Sequence, residues 1–501
     1  MQGLGKRWDG AFALKVGGAL AVIALGDWLF YQRTDYLGAF GLVGLAIAAV
    51  LGLTRPAVRR DRRALLALAL ALTAAFAMVW DAAPLPFLLF WISLGLATLL
   101  PGTAAFDDGW RWFQRLFVHG LKSLVGPLID FFKIARVKRR RPAQGKGARY
   151  WARTLALPLA GSALILVLFS AANPLIEQFF TALDITAPEE TLILRMILWG
   201  FLGLITWGVL RPRPPRHLLA TFDGRGDANL PGVSLASVTI SLVLFNALFA
   251  LQNVLDSAFL WGGVKLPGDM TLADYAHRGA YPLLVTALLA ALFVLIALRP
   301  GSQTARNPLV RKLVMVWIGQ NLFLVGSAAL RTWDYVESYD LTELRIAALL
   351  WMGLVAVGLV LVLVRMLKGK SAAWLINANL ASAAALLFAL CFVDLGTVSA
   401  RWNLAHAREF DGSGAGLDWC YLRELGPSAY VPLAELEARG GPQGDNAGVL
   451  RWQIQQQMIA DRQDGGWTIL NNRRLDRAEA LLGQRFNQAQ PYKELCLRYV
   501  D

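Results

Sequence analysis

The chain has 501 residues, of which 56% are hydrophobic and 17% charged, with a formal net charge of +14 and a mean hydropathy of +0.47. Soluble globular proteins are about 45–50% apolar and about 25% charged, so this composition excludes a soluble enzyme and an intrinsically disordered chain. The apolar residues are concentrated in long runs, which predicts an all-α polytopic membrane protein.

Apolar runs of about 17–25 residues, the length that crosses a bilayer as a helix, predict about 11 transmembrane helices. The predicted spans are 11–30, 37–53, 64–80, 85–100, 154–172, 192–210, 233–261, 280–298, 313–330, 346–364 and 374–396. Together they define a predicted transmembrane bundle over residues 1–396. The first run follows Lys6 and Arg7, as a signal peptide would, but no small-residue cleavage site closes it. We therefore interpret it as an uncleaved span.

The distribution of Lys and Arg between successive loops predicts the orientation of the chain. One alternating set of loops holds 30 basic and 7 acidic residues, and the opposite set holds 5 basic and 12 acidic residues. Because basic loops remain in the cytoplasm, we expect a cytoplasmic N-terminus and, after an odd number of spans, a C-terminal tail on the outer side. The inner loops account for the positive net charge, so no nucleic-acid partner is needed to explain it.

Residues 101–153 form the longest predicted cytoplasmic loop, and their pattern is typical of an amphipathic helix. Aromatic and leucine residues recur at helical spacing, with basic residues between them. A basic cluster follows, formed by Lys138, Arg139, Arg140 and Arg141. Such a segment lies in the membrane interface and contacts anionic lipid of the inner leaflet, at about 1 kcal/mol per charge. Docking of a cytoplasmic partner is the alternative.

Charged residues inside a span are costly and mark functional sites by default. Lys15 and Arg195 lie about one turn inside their spans and can reach the interface. Asp27, Asp256 and Asp394 are shorter, and all three fall toward the outer ends of outward-running spans. The sequence therefore places ionisable groups preferentially in the outer half of the membrane.

A candidate polar site on the outer side follows from this distribution. Asn246, Asn253 and Asp256 share one face of the seventh span, which we expect to face the bundle interior. The outer loops and the segment after the last span add further polar residues. The candidate site comprises Asp27, Asn246, Asn253, Asp256, His277, Arg278, Arg331, Asp334, Asp394, Arg401 and Asn403. A network that only fixes helix packing is the alternative interpretation.

Several segments between the first span and the tail resemble a known family. They are GDWLF at 26–30, NALFALQNVLDSAFLWGG at 246–263, YAHRGAYPLL at 275–284, RTWDYVESYDLTELRIAALLWM at 331–352 and ARWN at 400–403. Together they resemble the bacterial membrane-protein family named domain of unknown function 4173. The resemblance implies a multi-pass protein of the bacterial inner membrane, whose outer side is the periplasm. It implies no activity and no functional residues.

The last 101 residues, 401–501, differ from the rest because they are polar, nearly neutral and without a long apolar run. Short helical patterns separated by glycine-rich segments predict a small, mostly helical, extramembrane C-terminal domain in the periplasm. Cys420 and Cys496 both lie in it, in a compartment where disulfides persist. We predict that they pair, with a stabilisation of about 4 kcal/mol from closing a long loop. Two unpaired thiols are the alternative.

The sequence lacks the motifs of several chemistries. It contains no P-loop, no nucleophilic GxSxG serine and no His or Cys spacing suited to zinc. We therefore expect no metal and no cofactor. Whether the chain is an enzyme stays open, with a non-catalytic role favoured.

The favoured function is a binding, signalling or envelope-associated role in the inner membrane, with a periplasm-facing polar site and a periplasmic ligand or protein partner. One alternative is a transporter or lipid flippase that uses Asn253, Asp256 and Asp394 as an intramembrane site. Another is an envelope transferase that acts on a lipid-linked substrate, with Asp27 or Asp256 as the base. The apolar inner halves of the spans disfavour transport, and the short first outer loop at 31–36 disfavours a transferase.

Overall fold

The architecture is all-helical in the part of the chain that the structure describes. The computed structural model describes residues 2–32, 36–139, 161–162, 190–215, 217–219, 234–260, 289, 293, 302–412, 414–490 and 495–496. Every regular element in these residues is a helix. This confirms the predicted all-α class of a membrane protein.

The α-helices of the described residues are numbered in chain order. They are α1 (Gln2–Asp27), α2 (Tyr36–Thr54), α3 (Pro56–Arg60), α4 (Arg62–Trp80), α5 (Pro84–Leu99), α6 (Gly109–Arg139), α7 (Glu190–Leu210), α8 (Leu235–Leu260), α9 (Gln303–Arg306), α10 (Pro308–Tyr339), α11 (Glu343–Lys368), α12 (Ala372–Leu390), α13 (Leu395–His406), α14 (Arg408–Asp411), α15 (Trp419–Glu424), α16 (Pro427–Arg439), α17 (Gly441–Gln463) and α18 (Ile469–Leu482). A short π-helical segment follows α1, and short 3₁₀ segments follow α5 and α18.

Nine helices of the described residues are long and apolar enough to cross a membrane. They are α1, α2, α4, α5, α7, α8, α10, α11 and α12. Each overlaps one of the predicted spans. The two remaining predicted spans, 154–172 and 280–298, lie outside the described residues except for isolated positions.

Local sequence explains the bounds of the two longest candidate spans, α10 with 32 residues and α11 with 26. Pro308 is the first residue of α10, a position at which an N–H group has no acceptor within the helix, so proline loses no hydrogen bond there. The Asn307 side chain accepts hydrogen bonds from two main-chain N–H groups of the first turn. Thr342 caps α11 in the same way. Gly369 ends α11 in the left-handed conformation, with φ of 60°, that glycine adopts without steric penalty.

The contacts of the chain divide it into two compact units. Unit 1 comprises Met1–Thr73, Phe90–Ala104 and Arg115–Arg216. Unit 2 comprises Ala74–Leu89, Ala105–Gln114 and His217–Asp501.

In unit 1, α1 and α7 pack against each other in antiparallel directions, as the first and sixth predicted spans would. Phe12 near the start of α1 contacts Trp207 near the end of α7, with ring centroids 5.8 Å apart. Gly26 at the end of α1 contacts Leu202, which comes earlier in α7. A side chain at position 26 would collide with Leu202, so glycine permits this close approach.

In unit 2, α8, α10 and α11 share a hydrophobic core that includes Leu242, Val314, Trp317 and Leu359. Successive contacts advance in the same direction along α8 and α10, because the Asn246 side chain reaches Leu313 and the Asn253 side chain reaches Gln320. The two helices are therefore parallel, as the seventh and ninth predicted spans would be.

Helices α13 to α18 form the C-terminal helical region, residues 395–486, which has its own core within unit 2. Buried apolar side chains from Ala400 to Phe486 pack in this core, around the fully buried Tyr430 and Leu433. Arg451 is also fully buried, and its Nε lies 2.6 Å from Glu437 Oε2. The predicted start of the tail at residue 401 falls inside α13, which begins at Leu395.

A disulfide joins α15 of the C-terminal helical region to the segment that follows the region. Cys420 lies in α15 and forms a disulfide with Cys496, with Cα atoms 4.9 Å apart. The bond ties the segment after α18 back to α15. It thereby closes a loop of 76 residues around the core.

Candidate functional site

Asp27, the first predicted site residue, pairs with an arginine of unit 1. Arg195 Nε donates to Asp27 Oδ1 at 2.8 Å, and Trp199 Nε1 donates to the same oxygen at 2.9 Å. The Arg195 guanidinium also lies over the Tyr31 ring, 5.4 Å from its centroid. Both carboxylate oxygens of Asp27 accept from Arg195, the two-point geometry of a strong ion pair. The pair ties the end of α1 to α7.

Asp256 of α8 and Arg331 of α10 form a buried carboxylate–arginine pair in unit 2. Arg331 Nη2 lies 3.1 Å from Asp256 Oδ2, and the two side chains are 8% and 2% exposed. Gln252 donates to the other oxygen of Asp256 at 2.9 Å. The sequence predicted both charged residues as site residues but not their pairing.

The two predicted asparagines of α8 lie along the same seam between α8 and α10. Asn246 Nδ2 donates to the carbonyl of Leu313 at 3.1 Å, and Asn253 Nδ2 donates to the carbonyl of Gln320 at 3.3 Å. The side-chain oxygens of both asparagines are buried and accept no hydrogen bond from the described residues. The seam is therefore polar along three turns of α8, and its amides hold the helices together.

Asp394 lies outside the span in which the sequence predicts it. The prediction extended the last span to residue 396, but α12 ends at Leu390, and Asp394 is the N-cap of α13. The residues between, Cys391, Phe392 and Val393, are apolar, which prolonged the hydropathy signal beyond the helix. Asp394 accepts a hydrogen bond from the main-chain N–H of Thr397 at 3.1 Å, as an N-cap aspartate does.

The carboxylate of Asp394 is the centre of a polar cluster that joins three helices of the C-terminal helical region. Ser428 Oγ at the start of α16 donates to Asp394 Oδ1 at 2.9 Å, and Arg474 of α18 donates to Oδ2. Burial raises the pKa of Asp394, but the hydrogen bonds from Thr397 and the positive charge of Arg474 together lower it by more. The pKa of Asp394 therefore lies below its ordinary value. The carboxylate is therefore ionised, and each of its oxygens accepts a hydrogen bond from another helix.

Asp81, at the end of α4, belongs to the same electrostatic environment. Burial raises its pKa, the positive charge of Arg474 lowers it, and the negative charge of Asp394 raises it, with a net upward shift. Nearby, the Arg473 guanidinium lies over the Trp80 ring, 4.8 Å from its centroid. Two arginines of α18 thus hold the end of α4 against the C-terminal helical region.

Asn403 clamps the turn between α10 and α11. Its Oδ1 accepts from the main-chain N–H of Leu341 at 2.7 Å, and its Nδ2 donates to the Leu341 carbonyl at 3.0 Å. Ser399 Oγ donates to the same carbonyl at 2.5 Å, and the Tyr421 hydroxyl accepts from the main-chain N–H of Glu343 at 2.9 Å. Side chains of α13 and α15 therefore satisfy the main-chain groups of a turn between two candidate spans.

Asp340 precedes Leu341 in this turn and adopts an unusual conformation. Its φ of 69° lies in the region that favours glycine, although aspartate tolerates it better than most residues. Burial raises the pKa of Asp340 to about 6, with a further contribution from the negative charge of Asp418 and an opposing one from Arg345. The turn therefore contains a carboxyl group that titrates near neutral pH.

The other predicted site residues contribute less to these clusters. Arg401 is exposed and pairs with Glu435 at 3.3 Å on the surface. Asp334 is exposed on α10. His277 and Arg278 lie outside the described residues.

The predicted basic cluster and metal content can be compared with the structure only in part. Lys138 and Arg139 are the last residues of α6, and Arg140 and Arg141 lie outside the described residues. Within the described ranges, no group of three or more His, Cys, Asp or Glu residues is suited to hold a metal ion.

Sequence reasoning missed the partners that complete the Asp394 cluster and the Leu341 turn. Ser428 and Arg474 are 34 and 80 residues from Asp394 in the chain, so no local pattern links them. One local signal was available, because aspartate is among the preferred N-cap residues and Asp394 stands between an apolar run and a further helical segment.

The family model described as Domain of unknown function (DUF4153) matches residues 64–436. This finding overturns the predicted resemblance to domain of unknown function 4173, which is a different family. That resemblance depended on short aromatic and acidic segments near span ends, where the membrane interface favours the same residue types in unrelated proteins. No match is found among curated proteins or among solved structures.

Proposed function

This chain belongs to the DUF4153 family, which has no assigned activity, and we propose that it is a non-catalytic membrane protein with a binding and signalling role. In this proposal the protein lies in the inner membrane of a bacterium. Its C-terminal helical region binds a ligand or partner protein in the periplasm and relays that binding to α10 and α11. The alternation of basic and acidic loops supports this orientation.

The clamped Leu341 turn is the observation that carries the proposal. Asn403 makes two hydrogen bonds to Leu341, and Ser399 adds a third from the same helix, α13. Any displacement of α13 therefore acts directly on the turn that joins α10 to α11. Such a direct connection suits a protein that passes a binding event into its membrane helices.

The carboxylates support a binding role more than a transferase or a transporter. Asp27, Asp256 and Asp394 each accept a hydrogen bond from an arginine. An arginine partner stabilises the ionised carboxylate and so makes it a weaker acceptor of a substrate proton than an unpaired general base. The three residues that the sequence offered for catalysis or transport thus serve best as ties between helices.

The substitution Asn403→Ala tests the relay. It removes both hydrogen bonds to Leu341 and leaves the Leu341 N–H unpaired, at a cost of about 1–3 kcal/mol, while the carbonyl keeps its hydrogen bond from Ser399. We expect the variant to insert and to form the Cys420–Cys496 disulfide. Hydrogen–deuterium exchange should become faster over 339–345 and 395–406, and the variant should fail to restore growth of a deletion strain under envelope stress.

Asn487→Ala is the matched control, because Asn487 is an exposed asparagine of unit 2 after α18, and it should behave as wild type. Full complementation by Asn403→Ala, despite faster exchange in the turn, would remove the relay from the proposal.

The envelope composition of the deletion strain separates the binding role from the transferase alternative. A lipid or glycan that lacks one defined group, and that Asp256→Asn also fails to restore, would support the transferase alternative instead.

A further inference from the structure

A second group of charged residues lies in unit 1, near the opposite end of the candidate span Phe12–Tyr31 from Asp27. We call Lys15, Arg55, His119 and Arg211 the basic cluster of unit 1. Three contacts bring the segments of Lys15, Arg55 and His119 together. A Cβ on Gly18, three residues after Lys15, would lie 3.6 Å from Thr54, which precedes Arg55. Arg55 donates to the Thr98 carbonyl, and α5 meets α6 where a Cβ on Gly95 would lie 2.6 Å from Leu116, one turn before Thr98 and His119 on their helices.

Arg211 has a counter-ion in Asp130, 3.1 Å away, whereas the partly buried Lys15 and Arg55 have none among the described residues. Unpaired like charges that share a partly buried setting are unfavourable without an anion.

Helix packing fixes the position of Lys15 between two neighbouring helices. Phe12 and Gly18 flank it at three-residue spacing on α1. Phe12 packs on Trp207 of α7, and Gly18 lies so close to α2 that a Cβ there would be 2.5 Å from Val50 Cγ1. Lys15 therefore lies between the end of α2, where Arg55 follows, and the end of α7, where Arg211 follows.

A main-chain carbonyl, rather than a carboxylate, holds the Arg55 guanidinium in place. Its Nη1 donates to the carbonyl of Thr98 at 2.9 Å. Burial lowers the pKa of its guanidinium, the direction expected of a cation that lacks a nearby anion. Among the described residues, neither Arg55 nor Lys15 forms an ion pair with a carboxylate.

Two buried polar atoms beside these cations also lack partners in the described part of the chain. The His119 side chain is 6% exposed with no hydrogen bond to its Nδ1, and Thr98 is 1% exposed with none to its Oγ1. Burial and then the charge of Arg55 lower the pKa of His119 to about 4, so the imidazole is neutral and can donate one N–H. α6 holds His119 against α7, because a Cβ on Gly208 would lie 2.5 Å from Ser123 Cβ.

We propose that Lys15, Arg55 and His119 form a binding site for a phosphate group. Two unpaired cations and buried donors without partners are what a phosphate oxygen would satisfy, with charge-assisted hydrogen bonds. The site is independent of the relay proposed for the C-terminal helical region.

The edge of the site and its depth agree with this ligand. Arg211 and Arg213 share a single carboxylate, that of Asp130, at 3.1 Å and 2.6 Å, so the surroundings of the site remain positive. Arg55 comes directly after the candidate span Leu37–Thr54, which places it at the level of lipid headgroups. Basic pockets between membrane helices at this depth bind the phosphates of anionic lipids, and free phosphate offers the same chemistry.

The test uses the full chain, purified in detergent with residual lipid removed. Three probes are added separately: phosphatidylglycerol, diacylglycerol with the same acyl chains, and inorganic phosphate. Binding is measured by the shift in unfolding temperature, and for the lipids also by native mass spectrometry. We expect saturable binding of phosphatidylglycerol or inorganic phosphate, and none of diacylglycerol, which lacks the phosphate.

Two substitutions assign the binding to the site. Arg55→Gln and Lys15→Gln remove one cation each from different segments, and we expect each to weaken phosphate-dependent binding about tenfold or more. Arg59→Gln is the control, because Arg59 is an exposed arginine of α3 and its loss should change affinity less than twofold. The unfolding temperature of each variant without ligand is first compared with that of the wild type. If one of the two cluster variants fails to fold, the other carries the test.

The outcomes separate the two sources of phosphate. Stabilisation by phosphatidylglycerol but not by inorganic phosphate identifies a lipid headgroup, and stabilisation by inorganic phosphate identifies a soluble anion. Equal binding of diacylglycerol and phosphatidylglycerol, no response to either phosphate probe, or unchanged affinity in both cluster variants would overturn the proposal.

Discussion

The carboxylates of unit 2 and the basic cluster of unit 1 show two ways of treating charge in a membrane protein. Asp256 and Asp394 each accept a hydrogen bond from an arginine of the same unit. Lys15 and Arg55 have no such carboxylate among the described residues. The first arrangement is complete in itself, whereas the second leaves two partly buried cations without a counter-ion, which is costly and which the proposed phosphate would supply. A charged group without a partner is therefore a better guide to a ligand site than the most polar cluster.

Breaking a completed pair should have the largest effect. In Arg331→Ala the carboxylate of Asp256 remains buried without its counter-ion, and we expect a loss of about 3–5 kcal/mol in the free energy of unfolding. Denaturant unfolding of the protein in micelles measures this loss. Arg401→Ala is the control and should cost at most about 1 kcal/mol, because its pair with Glu435 is exposed. If Arg331→Ala lost no more free energy of unfolding than Arg401→Ala, the distinction between paired and unpaired charges would fail.

Removing the disulfide should have the next largest effect. Cys420→Ser frees the segment around Cys496, and we expect the C-terminal helical region to lose up to about 4 kcal/mol, from the regained freedom of a long loop in the unfolded chain. Thermal unfolding with and without reductant measures the loss. The reductant should destabilise the wild type and leave the variant unchanged.

The same two thiols test the side of the membrane on which the completed charges lie. In intact cells, we expect a membrane-impermeant maleimide to label Cys420 and Cys496 only after reduction. Labelling that requires a breached inner membrane would place the C-terminal helical region in the cytoplasm, and the periplasmic part of the proposed function would fail.

The smallest effect concerns Asp340, the titrating carboxyl of the clamped turn. Its folded-state pKa of about 6 is above its ordinary value, so its contribution to stability is present below about pH 4 and is lost as the pH rises to 6. Asparagine does not titrate and also tolerates a positive φ. Asp340→Asn should therefore raise stability by about 1 kcal/mol at pH 7.5, after allowance for solvent screening, and by little at pH 4. Thermal unfolding at both pH values measures this, with Asp476→Asn at an exposed position of α18 as control, and an equal gain at both would contradict the assignment.

The sequence predicts the long apolar helices of the described residues because the signal for such a helix is local. About 20 consecutive apolar residues suffice, so each of the nine candidate spans overlaps a predicted run. The exceptions in detail are equally local. The apolar residues 391–393 extend the predicted last span past Leu390, where the helix ends.

The polar clusters could not be predicted in the same way, because their members are distant in sequence. Arg474 reaches Asp394 from 80 residues away, and only the folded chain brings them together. The basic cluster of unit 1 was hidden for another reason. Lys15 has a local explanation as a side chain that reaches the interface, and Arg55 has one as an orientation signal. Neither residue alone therefore indicates that the other lies near it.

The length of α10 has a mechanical consequence. Its 32 residues form one continuous helix from Pro308 to Tyr339, and at 1.5 Å per residue it is about 48 Å long. Since a bilayer core is about 30 Å thick, the helix extends beyond the hydrocarbon and acts as a stiff lever through it. A shift of the Leu341 turn by about 1.5 Å requires a tilt of only about 2°, small enough for tightly packed neighbours to follow without repacking.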